Sequence, residues 1–267
     1  MASVLVDDFK EMVREQIEHR DLLFQMTKRD LLLRYKQTAM GFGWAVFTPL
    51  INTAIFSVIF MRVAPIDTGV PYPVFAFCGL WVWNFFASSL KFAVNSLTSN
   101  TNLITKVYFP REVFPLSAVI VCLVDFLVAS PVLFALMAYY RVPIGPAILL
   151  LPVIVLVHVI FTTATALILA MSNLFYRDVK YLFEVVIAVW MFATSVLYPV
   201  ELIGGRLGTI MRLNPMTPIL ESYRAVLLRA ELPQAAPLLG VTAFSIVFLA
   251  IAWVAFHRSE FRFAENV

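Results

Sequence analysis

Residues 116–139 read LSAVIVCLVDFLVASPVLFALMAY, 24 positions with a single charge, Asp125. At about 1.5 Å of rise per residue a helix of this length crosses the roughly 30 Å hydrocarbon core of a bilayer. Only helices and closed barrels satisfy their backbone hydrogen bonds in that medium. Five further stretches share this character, at residues 44–61, 74–93, 147–171, 182–198 and 238–256, and short polar loops separate them. The fold class that follows is an all-α polytopic membrane protein with six transmembrane helices.

An even number of spans leaves both termini on one side. Of the 20 Lys and Arg residues, 14 fall on that side: seven before the first span, three from Lys91 to Arg111, Arg177 with Lys180, and two after His257. The other six lie opposite, four of them in one longer loop. By the positive-inside rule both termini are expected in the cytoplasm, and the expected location is a bacterial inner membrane.

Composition agrees with this reading, because 61% hydrophobic and 14% charged residues depart from the averages of about 45–50% and 25% in soluble domains. With 267 residues and no long polar insert, residues 44–256 form one six-helix membrane domain. Residues 1–43 make a cytoplasmic amphipathic region and 257–267 a cytoplasmic tail. The net charge of +3 reflects loop bias, since no basic run is dense enough to track phosphates, and no nucleic-acid partner is expected. Cys78 and Cys122 both lie in apolar spans and behave as small hydrophobes, so neither a disulfide framework nor a metal site is expected. The first 40 residues lack a signal-peptide pattern, which leaves the first span as an uncleaved anchor.

Ahead of that span Phe9, Met12, Val13 and Ile17 recur at helical spacing among charged neighbours. The stripe fits a helix lying on the membrane surface, as a plain anchor or as part of a gate. Residues 21–38 mix Leu22, Leu23, Met26 and Leu31 with Lys28, Arg29, Arg34 and Lys36, and Gly41 and Gly43 then let the chain turn into the bilayer before Trp44.

Two segments on the N-terminal side carry exposed apolar or charged groups. In residues 98–112, Thr101 or Asn102 can cap a helix, Leu103, Ile104, Val107 and Tyr108 supply an apolar surface, and Pro110 ends the turn. Such a surface needs a partner or the headgroups to cover it. In residues 172–180, Arg177 and Asp178 face either a partner or solvent.

On the opposite side residues 199–234 divide at Asn214-Pro215 into two helix-length pieces, 202–213 and 218–232, each too short to span. Thr217 is the expected N-cap of the second, with Pro218 first in the helix, Glu221 near its start and Arg229 near its end. These are expected to be two short re-entrant helices between spans five and six, plugging an exit within residues 200–233.

Few ionisable groups lie inside the spans. Asp125 and His158 differ in expected depth by about 6 Å and serve either as packing devices or as a short relay; a relay normally needs a longer chain of acids and histidines. Among 38 aromatic residues, Tyr72, Tyr139, Tyr140 and Tyr198 sit at span ends as an interfacial belt requires. Trp81, Trp83 and Trp190 fall deeper, where an aromatic wall can stack on sugar rings or simply pack between helices.

The order of several motifs resembles the membrane subunit of polysaccharide-exporting ATP-binding-cassette (ABC) transporters. They are residues 29–38 (RDLLLRYKQT), Gly41-Phe-Gly-Trp44, residues 81–86 (WVWNFF), residues 102–112 (NLITKVYFPRE), residues 175–179 (FYRDV) and residues 213–218 (LNPMTP). The likeness covers nearly the whole chain. It implies a homodimer carrying two copies of a nucleotide-binding ATPase and exporting a lipid-linked glycan of O-antigen, capsule or teichoic-acid type. On that likeness Asn102, Leu103, Ile104, Lys106, Tyr108, Phe109, Arg111 and Glu112 couple to the ATPase, with Arg177 and Asp178 beside them. Arg29, Arg34, Tyr35 and Lys36 fall at an interface or gate. Trp81, Trp83, Trp190, Tyr198, Asn214, Pro215, Glu221 and Arg224 are channel or exit candidates.

No phosphate-binding loop of the G-x-x-x-x-G-K-[ST] type occurs, so the chain itself carries no cofactor, and ATP and Mg are bound by the partner ATPase. Membrane lipids are the remaining partner. Three rival classes are a drug or small-lipid exporter of the same architecture, a polytopic transferase and a secondary transporter. The transferase would need clustered acids or histidines at a membrane edge, and the secondary transporter an internal repeat.

Overall fold

The computed structural model describes residues 14, 18–36, 38–63, 65–101, 103, 109–260 and 263. Among them the secondary structure is helical throughout, with no strand. The α-helices are α1 (Arg20–Tyr35), α2 (Gly43–Val58), α3 (Tyr72–Ser96), α4 (Val113–Tyr139), α5 (Leu151–Phe175), α6 (Val179–Ala193), α7 (Gly205–Leu213), α8 (Met216–Leu228) and α9 (Ala235–Ser259). The expected stripe of Phe9, Met12, Val13 and Ile17 lies outside the described residues, as do Asn102, Ile104, Lys106, Val107 and Tyr108.

Five helical segments among the described residues are long and apolar enough to cross a membrane: Gly43–Val63, Tyr72–Ser96, Val113–Tyr139, Pro146–Phe175 and Ala235–Ser259. The remaining apolar stretch, residues 182–198, is helical only as far as Ala193. Its helix α6 has 15 residues, about 22 Å of rise. The helix stops because Ser195 takes a left-handed conformation, φ 55°, and the carbonyls of Ser195 and Val196 accept hydrogen bonds from the Arg224 guanidinium at 3.1 and 2.7 Å. Carbonyls turned toward a side-chain cation in this way do not extend a helix.

Helix α3 is the axis of the bundle. Its most apolar stretch is 78% buried, against 11% for that of the Gly43–Val63 segment. Pro71 and Pro73 open α3 with pre-set φ angles. Helices α4 and α5 pack along α3, α9 packs on α5, α2 on α3, and α1 on the first half of α4. Pro131 lies inside α4 and offers no N–H to the Leu127 carbonyl four residues earlier. The Ser130 hydroxyl donates to that carbonyl at 2.8 Å, so the carbonyl keeps a partner.

The two ends of the bundle differ. At the C-terminal end of α3, which carries α1, Leu97, Phe109, Phe114, Leu174, Phe256 and Phe263 form a second small core. At its N-terminal end α8 wedges against α3, α5, α9 and the 3-10 turn Pro146–Leu150. The first short piece of the 199–234 region is α7, and the second, α8, begins two residues before Pro218. Thr217 is therefore not its cap: the Thr217 hydroxyl donates back to Met211 O at 2.7 Å, and Asn214 Oδ1 accepts from the Met216 N–H at 3.1 Å. Gly41, at φ +52°, supplies the turn between α1 and α2 that an L side chain would strain.

Candidate functional site

Helix α1 is latched to the bundle by polar side chains one turn apart. Asp30 and Arg34, at i and i+4, meet α4. Arg34 Nη1 lies 2.7 Å from Asp125 Oδ2 and the Tyr35 hydroxyl donates to Asp125 Oδ1. One turn earlier the Ser117 hydroxyl donates to Asp30 Oδ2 at 3.0 Å, while Arg29 bridges Asp30 at 2.8 Å and Asn100 at 3.1 Å. The Arg34 guanidinium also sits over the Phe92 ring, 4.3 Å from its centroid. Burial and the bond to Asp125 push the Tyr35 phenol above its ordinary range. Lys36, just beyond the helix, is exposed.

Arg34 lines two cavities. One, of about 330 Å³, is bounded by Arg34, Tyr35, Trp44, Trp81, Asn84 and Asp125 among others. The other, of about 450 Å³, lies against Asp30, Leu33, Arg34, Lys91, Phe92 and Asn100. Trp81 stacks on Phe126 with centroids 3.9 Å apart and donates Nε1 to Phe126 O at 2.8 Å. It is therefore held in place where it borders the first cavity. Trp83 is instead packed into the core against Phe86, 5.6 Å away. His158 does not meet Asp125; its Nδ1 lies 3.4 Å from the Tyr223 hydroxyl and its ring stands edge-on to Phe85.

At the opposite end Arg224, only 2% exposed, joins α8 to α3 and to the turn after α6. It binds the Ser195 and Val196 carbonyls, pairs with Glu221 at 2.9 Å and covers the Phe75 ring at 3.8 Å. Gly79 lets the turn approach α3, because a Cβ there would stand 2.2 Å from Val196 O. Glu221 also pairs with Arg229 at 2.9 Å. Asn214 accepts from Trp190 Nε1 at 3.0 Å and donates to Ala193 O at 3.1 Å and Thr194 Oγ1 at 2.9 Å, while Pro215 precedes the first residue of α8. The Tyr198 hydroxyl donates to Phe192 O.

The ABC-2 type transporter family matches residues 21–228, from α1 to the end of α8. The chain belongs to that family. An O-antigen export system permease protein RfbA of Myxococcus xanthus is 34% identical over 260 residues, 96% of this chain and 99% of its own length. Two proteins of the same name from Klebsiella pneumoniae are each 32% identical over 248 residues, 92% of this chain and 94% of theirs. As an ABC-2 permease the chain is a transport subunit, and its family works with an ATPase partner.

At the α1 end of this permease the residues assigned to coupling fall into two groups. Phe109 is buried against Phe114, with centroids 5.5 Å apart, and Glu112 is buried beside His257. Leu103 is half-buried. The Arg111 guanidinium donates to Glu260 O at 2.6 Å. Arg177 and Asp178, by contrast, are exposed in the tight turn between α5 and α6. Asn173 holds that turn, donating to Val94 O at 2.7 Å and accepting from the Lys180 N–H at 3.2 Å. Nothing in the sequence marks Asn173, because an Asn at a helix end is ordinary. Asp30, Ser117 and Gly79 carry no sequence signal either, since their partners are distant along the chain.

Proposed function

We propose that this permease is the transmembrane subunit of an ATP-driven exporter moving a lipid-linked polysaccharide, of O-antigen, capsule or teichoic-acid type, across the bacterial inner membrane. It acts as a homodimer with two copies of the ATPase, which bind ATP and Mg. The observation that carries this reading is end-to-end similarity to three proteins named as O-antigen export permeases, over at least 92% of each chain.

In this reading α6 and the turn after it serve as the fifth of six spans, and both termini are cytoplasmic by charge bias. The α1 end then faces the ATPase, contacted by residues 98–112 together with exposed Arg177 and Asp178. Helices α7 and α8 are re-entrant and close the outer exit. Arg34 and Tyr35 act as the gate, since they line the cavity that Trp81 walls. A rigid aromatic face suits the C–H surface of a sugar ring while leaving it free to slide, and Asn84 and Asp125 offer polar contacts to hydroxyls. Release of α1 from Asp125 would join the two cavities that Arg34 lines.

The test is a deletion strain complemented from a plasmid. Loss of the permease should leave completed lipid-linked glycan on the cytoplasmic face, and the wild-type gene should restore it to the surface. Normal surface glycan in the deletion strain would refute the assignment.

A further inference from the structure

We propose a transition-metal site at the α1 end of the permease, formed by Glu112, His257 and Glu260, that takes a divalent cation of the zinc type. Glu112 is the residue before α4, and Glu260 the one after α9. The bundle brings them together although 145 residues separate Glu112 from His257 along the chain. One ligand atom from each of the three side chains lies within 4.8 Å of the others.

The spacing between His257 and Glu112 is that of co-ligands. His257 Nδ1 stands 3.4 Å from Glu112 Oε1 and 3.8 Å from Glu260 Oε2. Nitrogen and oxygen donors at about 2.0–2.2 Å from a tetrahedral zinc are about 3.3–3.5 Å from one another. Both observed distances are long for a hydrogen bond of about 2.7–3.2 Å.

The Glu112 carboxylate leaves an oxygen available. Glu112 is 1% exposed, and its Oε2 has no hydrogen-bond partner. A buried carboxylate oxygen without a partner costs free energy, and a cation removes that cost. Glu260 Oε1 accepts from the Arg111 backbone N–H at 3.0 Å, which leaves Oε2 directed toward His257. Two carboxylates this close repel one another, and the Arg111 Nε, 3.8 Å from Glu260 Oε1, offsets part of that repulsion. One imidazole with two carboxylates is a donor set for zinc or manganese and too hard for copper(I). A water completes four-coordination. The bound ion would clamp the start of α4, just after Phe109–Arg111, to the end of α9.

The experiment uses the permease purified with its ATPase and without a polyhistidine tag, stripped by chelator and then titrated with Zn²⁺ or Co²⁺. One tightly held ion per permease chain is expected, with an X-ray absorption spectrum showing one imidazole and oxygen ligands, and a rise in thermal midpoint on metal addition. Glu112→Gln and His257→Asn should each weaken binding by at least roughly 100-fold, beyond the 10–100-fold cost of losing an outer-shell partner. His19→Ala should bind as the wild type does. Binding unchanged in Glu112→Gln, no retained ion in the wild type, or a spectrum without imidazole would overturn the proposal. If the variants fail to assemble, the wild-type spectrum decides.

Discussion

Arg34 of α1 and Asp125 of α4 form an ion pair at 2.7 Å, with side chains 26% and 14% exposed. The pair ties a helix that is not itself a candidate span to the middle of one that is. Removing either partner leaves a half-buried charge beside apolar surface, whereas replacing both leaves none. Arg34→Leu and Asp125→Leu should each lower stability, and the double variant should lose less than their sum, with a coupling of about 0.5–3 kcal/mol. A double-mutant cycle of unfolding midpoints in detergent measures it. Strict additivity would show that the latch is not energetic.

The second bond of that latch, Ser117 Oγ to Asp30 Oδ2 at 3.0 Å, gives a reversible lock. Asp30→Cys with Ser117→Cys should form a disulfide under oxidation, stop export and leave ATPase association intact; reductant should restore transport. Export at the normal rate through the crosslinked protein would make α1 a static anchor.

Gly79→Ala should loosen the opposite end. Its Cβ would meet Val196 O at 2.2 Å, a contact with backbone that must shift and take the Arg224 bonds with it. Overpacking of this kind costs about 1–3 kcal/mol. A lower thermal midpoint with intact ATPase binding is expected; an unchanged midpoint would mean that the turn moves freely.

Asn214→Ala removes the hub that joins Trp190, Ala193, Thr194 and Met216. Leaving those partners unsatisfied costs about 1–3 kcal/mol. Hydrogen exchange should quicken over residues 190–217 while α3 to α5 stay protected. Uniform exchange across the bundle would argue against a local hinge.

Much of the fold is legible in sequence because hydropathy over about 20 residues reports a bilayer-length helix directly. Residues 74–93 and 116–139 fall within α3 and α4, and the other long helices agree equally well. Residues 182–198 differ because their polar partner, Arg224, lies in a helix some 30 positions later, and periodicity carries no record of that. The same holds at the candidate site. Arg34 and Tyr35 stand out as residue types, but their meeting with Asp125 spans 90 positions. Asp125 and His158, similar in expected depth, point to different neighbours because depth does not fix the face of a helix.

The turn at Arg177 and Asp178 tests the coupling surface. Both are exposed and Asn173 fixes the backbone beneath them. Arg177→Glu should reduce co-purification of the ATPase, or its stimulation, without moving the thermal midpoint of the permease alone. Full coupling in that variant would place the contact elsewhere.

The most direct measurement reconstitutes the permease and its ATPase in proteoliposomes loaded with a lipid-linked polysaccharide and follows its appearance on the opposite leaflet. ATP-dependent transfer is expected, lost in the Asp30→Cys and Ser117→Cys pair when oxidised and regained on reduction. ATP hydrolysis with no movement of the glycan, alongside transport of a drug-like dye, would contradict polysaccharide export as the activity of this chain.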